Sequence, residues 1–244
     1  MKIDQQVLQV LSNATVDGNM LFLNGQLDRN LYTRTNKVLE AAGGKWNRKA
    51  KAHIFEQAAS DRVEQMLLTG DIVIPQDFGY FPTPIDVVER LIDEADLGPD
   101  MLVLEPSAGQ GAIANQVARI AQVDCIELLL DNAAKIQVQG NVRSLLQGDF
   151  LAQTPQPQYD RVIMNPPFEK QADIKHVQHA HRFLKPGGRL VSVMAASVLF
   201  RSNRLTTEFR EFVESKGGWI QELPEGSFKA SGTMVNTVIV TIPN

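Results

Sequence analysis

The chain is poor in several things at once: it has one cysteine, four histidines, no excess of positive charge and no long apolar run. A lone cysteine, Cys125, excludes an internal disulfide framework and any zinc site built from several thiolates. Its neighbours Val123, Asp124 and Ile126 suggest a strand, so a buried structural thiol is expected there, not a nucleophile. Four scattered histidines suggest no metal. No stretch approaches the ~20 apolar residues of a membrane span, and Met1-Lys2-Ile3-Asp4 carries no signal-peptide pattern. The expectation is a cytoplasmic protein without a membrane or metal partner. A net charge of −4 removes any global basic field, so affinity for a polyanion has to come from a local patch.

What is present fits a globular chain of 244 residues, 43% hydrophobic and 21% charged. That length holds one large domain, or one medium and one small. The pattern changes near Asp77. Beyond it, strand-like runs (residues 101–104, 123–127, 142–146, 161–164 and 189–194) alternate with helix-like runs (112–121, 130–138, 172–184 and 205–215). Lys185-Pro186-Gly187-Gly188 reads as a stop between the third of these helices and its strand. Residues 219–223 and 235–242 close the series as two further strands. Alternation of this kind predicts a mostly parallel sheet flanked by helices, an α/β fold. Residues 1–79 read as a small N-terminal α+β module, residues 71–78 as a linker, and 80–244 as the main domain. There is no internal repeat and no low-complexity tract.

The most informative residues are Asn165-Pro166-Pro167-Phe168, directly after the apolar run Tyr159–Met164. Two prolines cannot continue a strand, because each fixes φ and lacks an N–H. The first also drives Asn165 out of the α region. A rigid extended turn at a strand end leaves the Asn165 side chain and the Pro166 carbonyl free to accept hydrogen bonds, with a flat ring just beyond. That suits a clamp for an exocyclic amino group on a planar ring. The plain alternative is a tight turn that happens to hold two prolines.

A second constellation is Glu105-Pro106-Ser107-Ala108-Gly109-Gln110-Gly111. Here a strand ends in a small-residue loop that opens a helix. Glycines allow a tight turn and close approach of a ligand. The loop lacks the lysine of a phosphate cradle, and Glu105 would repel phosphate while suiting a cationic amino group. Glu127 ends the next strand about 20 residues later, the spacing at which an acid meets a ribose hydroxyl in nucleoside sites. Gly148-Asp149-Phe150 follows the third strand, offering an acceptor for an adenine amino group and an aromatic to cover the base. Each acid alone can be a solvated carboxylate or a helix cap. Three at successive strand ends line the crevice where open α/β sheets bind ligands.

Taken in order, Phe81-Pro82-Thr83-Pro84, the Glu105–Gly111 loop, Glu127, Asp149-Phe150 and Asn165-Pro166-Pro167-Phe168 resemble the S-adenosylmethionine-dependent DNA amino-methyltransferases. The match is to the adenine-N6 group in which cofactor motifs precede the catalytic tetrapeptide, and it covers about residues 80–244. The resemblance implies the class I methyltransferase fold, a Rossmann-like seven-stranded sheet whose last strand runs antiparallel. It implies S-adenosylmethionine as cofactor and DNA as substrate. Thr83 and Glu105 would hold the methionine end, and Ser107, Ala108, Gly109 and Gly111 would form the loop. Glu127 would take the ribose hydroxyls, and Asp149 with Phe150 the adenine. Asn165, Pro166 and Phe168 would be catalytic, while Pro167 and Phe228 would help pack the target base. A core phenylalanine is the alternative for Phe228.

An adenine amino nitrogen is a poor nucleophile and carries two N–H donors. Acceptors at Asn165 Oδ1 and the Pro166 carbonyl would draw it toward tetrahedral geometry, with Phe168 stacked on the ring. The base has to be flipped out or single-stranded. Relatives that use Asn-Pro-Pro-aromatic on RNA or on a protein glutamine are the alternative within this chemistry. A catalytically silent DNA- or partner-binding protein is the alternative outside it. Sequence-specific members of the family carry a large target-recognition domain, and after Phe228 only residues 229–244 remain. Specificity is therefore expected in residues 1–79, in short loops, in a partner chain, or to be relaxed.

In residues 1–79, a helix is expected over 27–44. It precedes Gly43-Gly44-Lys45-Trp46-Asn47-Arg48-Lys49-Ala50-Lys51 and a short strand. This stretch resembles the small helix–strand modules attached to DNA-remodelling enzymes. Lys45, Trp46, Arg48 and Lys49 are candidate contacts to a nucleic-acid backbone. The alternative is a solvated basic face with Trp46 in a small core.

Overall fold

The computed structural model describes residues 2–55, 58–70 and 81–244. The expected linker at 71–78 lies outside the described residues. Two compact units emerge from the contacts. One holds residues 1–77 and 196–208, the other 78–195 and 209–244. The sequence division at 79/80 therefore assigned residues 196–208 to the other unit. Phe200 packs against the smaller unit's core, and buried Arg201 pairs with Glu64 at 2.8 Å.

In the smaller unit, helices α1 (Gln5–Ser12), α2 (Arg29–Ala41) and α3 (Ala59–Thr69) accompany four three-residue strands. These are β1 (Thr15–Asp17), β2 (Met20–Phe22), β3 (Lys45–Asn47) and β4 (Ala52–Ile54), paired antiparallel in the order β1-β2-β4-β3. Asp4 and Asp28 cap α1 and α2, each accepting from backbone amides of the first turn. Leu11, Leu21, Leu39 and Met66 fill the core between the elements.

The larger unit opens with α4 (Ile85–Ala95), then β5 (Leu102–Glu105), α5 (Ala114–Val117), β6 (Gln122–Glu127), α6 (Leu130–Gln139) and β7 (Ser144–Gln147). β8 (Tyr159–Met164), α7 (Ala172–His181), β9 (Leu184–Ala195), α8 (Arg204–Ser215), β10 (Trp219–Glu222) and β11 (Thr237–Pro243) follow. The first turn of α8 lies in the smaller unit. Seven strands form one sheet in the order β10-β11-β9-β8-β5-β6-β7, and β11 alone runs against its neighbours. This is the expected fold. The central strands are apolar almost throughout, as strands covered on both faces must be. Among the charged residues they do contain, Asp124 within β6 is matched by the Arg143 guanidinium and by the Tyr159 hydroxyl at 3.0 Å. Burial, reinforced by Asp124, pushes the Tyr159 phenol up to about 12. Cys125 is a buried free thiol, as expected, and burial raises its pKa.

Helix α4 is absent from the sequence reading, and two elements that it does contain differ in the structure. The helix expected over 112–121 is regular only at Ala114–Val117 and is flanked by turns, because the loop's glycine-rich entry delays it. The Lys185-Pro186-Gly187-Gly188 stop lies inside β9. It bulges outward between the pairs Tyr159↔Leu184 and Arg161↔Arg189, leaving Lys185, Pro186 and Gly187 exposed.

The connections explain where a ligand fits. From β5 the chain moves outward to β6 and β7, then crosses back to β8 on the other side of β5. The switch between β5 and β8 opens a crevice at the carboxyl ends of those strands. Amphipathic α4 is fixed beside it. Arg161 of β8 donates to the carbonyls of Ala95 and Asp96, and Arg189 of β9 donates to that of Glu94 at 2.8 Å. Holding the end of α4 in this way also fixes its start, where Thr83 and Pro84 lie.

Candidate active site

The crevice is a cavity of about 500 Å³, the size of a small-molecule site. Its wall contains thirteen of the residues named from the sequence: Thr83, Glu105, Ser107, Ala108, Gly109, Glu127, Asp149, Phe150, Asn165, Pro166, Pro167, Phe168 and Phe228. Gly111 is not among the lining residues. Its φ of +85° and the closeness of Gln139 Oε1, 2.8 Å from where a Cβ would stand, give it a backbone and packing role. Lys45, Trp46, Arg48 and Lys49 belong to the smaller unit.

Glu105 ends β5 and is 2% exposed. The Ala114 amide donates to its carboxyl, while Oε2 is buried without a partner. Burial holds this acid well above the ordinary carboxylate range. The Ala114 amide opposes the shift and neighbouring Glu127 adds to it. A carboxyl in that state is relieved by a nearby cation.

Glu127 ends β6 and is committed to backbone. Its Oε2 accepts from the Gly109 amide at 2.6 Å and its Oε1 from the Leu129 amide at 2.8 Å. Each carboxylate oxygen keeps a further lone pair for a hydroxyl donor. Asp149 uses Oδ1 to cap the short turn Phe150–Ala152, accepting from the Leu151 amide at 2.9 Å. It is exposed and lines the cavity.

Phe150 is 4% exposed, held among His176, His179 and Phe183 with ring centroids 6.0, 4.8 and 5.4 Å away. It forms a fixed part of the wall. Phe228 is 1% exposed and belongs to the core, the alternative reading of it, and it also lines the cavity.

At the end of β8, Asn165 Nδ2 donates to Thr83 Oγ1 at 3.1 Å. Asn165 Oδ1 is buried and unpartnered. Two orphaned acceptors, Glu105 Oε2 and Asn165 Oδ1, therefore belong to residues of one cavity. Unpaired buried polar atoms are costly, and each calls for a partner. Past Phe168 the backbone is strained, with Lys170 and Gln171 both left-handed at φ +51° and +59°.

Sequence reasoning missed the Thr83–Asn165 bond, which spans distant parts of the chain and leaves no periodic trace. It also missed Leu128, Leu129 and His176 in the wall. The two leucines had a visible signal, being exposed apolar residues directly after the acid that ends a strand. His176 donates from Nδ1 to the Ala172 carbonyl at 2.8 Å, and burial lowers its pKa. Among the described residues no cluster of His, Cys, Asp and Glu forms a metal site, and no helix is long and apolar enough to cross a membrane.

The Methyltransferase small domain family model matches residues 91–218, more than half of the chain. The chain belongs to that family. S-adenosylmethionine is accordingly its cofactor, and the cavity is of a size to hold it. The chain is 26% identical over 103 residues to the type II methyltransferase M.HincII of Haemophilus influenzae, covering 41% of this chain and 19% of that protein. It is also 26% identical over 178 residues to a probable ribosomal RNA small subunit methyltransferase A of Methanosarcina barkeri, covering 67% of this chain and 59% of the other. The chain thus spans less than two thirds of either relative. Among solved structures, a modification subunit of a putative type I restriction enzyme from Vibrio vulnificus superposes with a TM-score of 0.57. It is 19% identical, covering 91% of this chain and 54% of that one. That likeness concerns the fold.

Proposed function

We propose that this methyltransferase modifies the N6 amino group of adenine in DNA, presented as a flipped or single-stranded base. The observation that carries the reading is the buried, unpartnered Oδ1 of Asn165, fixed at the end of β8 beside two prolines. An acceptor held in that state calls for an N–H donor, and the target amine has two. Asn165 Oδ1 and the Pro166 carbonyl take one each, which frees the nitrogen lone pair. Phe168, half-buried on the cavity wall, stacks on the base and sets the angle of attack.

S-adenosylmethionine, when bound, supplies a methyl group on a sulfonium leaving group. Transfer to the amine nitrogen would form a C–N bond as the sulfonium's C–S bond breaks, with S-adenosylhomocysteine as the leaving group. Asparagine is no base at neutral pH, so the amine's proton passes to water after transfer. Glu105 holds the cofactor's ammonium group, Glu127 its ribose hydroxyls, and Asp149 its adenine amine.

DNA as substrate is supported by the ordered motifs from Phe81 to Phe168 and by the similarity to M.HincII. RNA adenine is the second reading, favoured by the longer match to the probable ribosomal RNA methyltransferase. In the smaller unit, Lys45, Arg48, Lys49 and Lys51 are exposed at the β3–β4 hairpin. Asn47 Oδ1 fixes the hairpin turn by accepting from the Lys49 and Ala50 amides, each at 3.0 Å. Trp46 is 45% exposed on edge strand β3, so it is not a core residue. Its ring packs on buried His53 at 5.1 Å. Exposed cations around a supported aromatic suit a nucleic-acid strand, and we assign the backbone contact to this hairpin. Incubation with unmethylated DNA and RNA separates the readings: N6-methyladenine in DNA supports the first, label in RNA alone the second.

A further inference from the structure

We propose that Thr83 is a positioning residue that makes the orientation of Asn165 depend on cofactor occupancy. The inference rests on the reading of Asn165 as the acceptor for the target amine. Thr83 stands between Pro82 and Pro84, directly before α4. The Ser231 hydroxyl donates to the Pro82 carbonyl at 2.7 Å, so the segment is fixed from both sides. Thr83 lines the same cavity as Glu105 and Asn165, and its Oγ1 accepts from Asn165 Nδ2 at 3.1 Å.

A primary amide has two faces, and only one is useful here. With Nδ2 toward Thr83, the acceptor Oδ1 meets the target's N–H. Turned by half a rotation, the asparagine sets its own N–H₂ against the target's donors. A hydroxyl carries one proton and two lone pairs. While its proton is uncommitted, the Thr83 hydroxyl satisfies either face, since it can accept from Nδ2 or donate to Oδ1. Among the described residues nothing takes that proton. The cofactor's amino-acid end carries a carboxylate, a strong acceptor for it. Once the proton is committed there, Thr83 offers Asn165 only lone pairs, and Nδ2 has to face it. Cofactor binding thereby locks Oδ1 toward the target. Glu105, with an orphaned oxygen on the same wall, recruits the ammonium of that same end.

The test uses Thr83→Val, which keeps the shape and removes the hydroxyl, and Thr83→Ser, which restores it. The affinity of an adenine-containing oligonucleotide is measured with and without saturating S-adenosylhomocysteine, alongside cofactor affinity, kcat and thermal melting. Wild type is expected to bind the oligonucleotide at least about fivefold more tightly with the cofactor product present. Thr83→Val should lose that linkage to within about twofold, and its kcat should fall more than its cofactor affinity. Thr83→Ser should recover both. A valine variant that melts normally and keeps the wild-type linkage overturns the proposal. So does a serine variant that behaves like valine. A wild-type protein that methylates no nucleic acid would instead overturn the assignment of Asn165.

Discussion

The Gly109 amide donates to Glu127 Oε2 at 2.6 Å, joining the loop after β5 to the end of β6 across the floor of the cavity. One carboxylate thus shapes the loop and offers acceptors to the ligand. Gly109 adopts φ +55°, which aims its amide and leaves no room for an ordinary side chain's preference. Glu127→Ala removes the acceptor from two backbone amides, those of Gly109 and Leu129. Leaving the buried Gly109 donor unpaired costs about 1–3 kcal/mol, and the part-buried Leu129 amide costs less. We expect a lower melting temperature and cofactor affinity reduced at least about tenfold. Calorimetry showing wild-type affinity would remove Glu127 from the cofactor site.

Glu105 predicts a pH dependence with a definite sign. Burial raises its pKa in the ligand-free protein, and a bound ammonium group would draw it down. Cofactor binding should therefore release a proton, and affinity should rise as pH increases through the raised titration range. Folding responds in the opposite direction. Because the folded state binds this proton more tightly than the unfolded chain, the stability it contributes is lost as pH rises through the folded-state pKa. Glu105→Gln should then melt higher than wild type at neutral pH, bind cofactor more weakly and release no proton. Equal melting temperatures and equal proton release in the two proteins would contradict this.

Asn165 and Asp149 should separate chemistry from binding. Asn165→Ala is expected to lose methyl transfer, by at least about 10²–10³-fold, with little change in cofactor affinity. Asp149→Ala should chiefly weaken cofactor binding. Single-turnover rates and calorimetry on the two variants decide the matter. Near wild-type turnover in Asn165→Ala would refute its role, and unchanged cofactor affinity in Asp149→Ala would take that residue out of the site.

The hairpin assignment is tested by salt. Lys45→Ala, Arg48→Ala and Lys49→Ala combined should weaken DNA binding and leave cofactor affinity intact. The slope of log affinity against log salt should flatten by about one unit for each cation that neutralises a phosphate. An unchanged slope would move the DNA surface to the loops near Phe168 and Phe228.

The sheet was legible because its strands are short apolar runs with an acid or asparagine at the carboxyl end. Glu105, Glu127 and Asn165 stand where that pattern placed them, and the cavity brings them together. Less legible were features set by tertiary contact. The Lys185–Gly188 stop reads as a turn, yet pairing on both sides carries the strand past it as a bulge. Residues 196–208 follow the larger unit's β9 in sequence but pack with the smaller unit through Phe200 and Arg201, which no local pattern reveals. Gly111 resembles a ligand-loop glycine, but its neighbours are Gln139, Asn115 and Ile136. The partner of Asn165 was hidden because hydrogen bonds between remote residues have no periodicity.

The most direct test of the whole account is transfer of labelled methyl from S-adenosylmethionine to unmethylated DNA, followed by nucleoside analysis. The account predicts label in N6-methyladenine from DNA with the wild-type protein and none with Asn165→Ala. Label confined to RNA or protein, or wild-type DNA labelled on a base other than adenine, would contradict it.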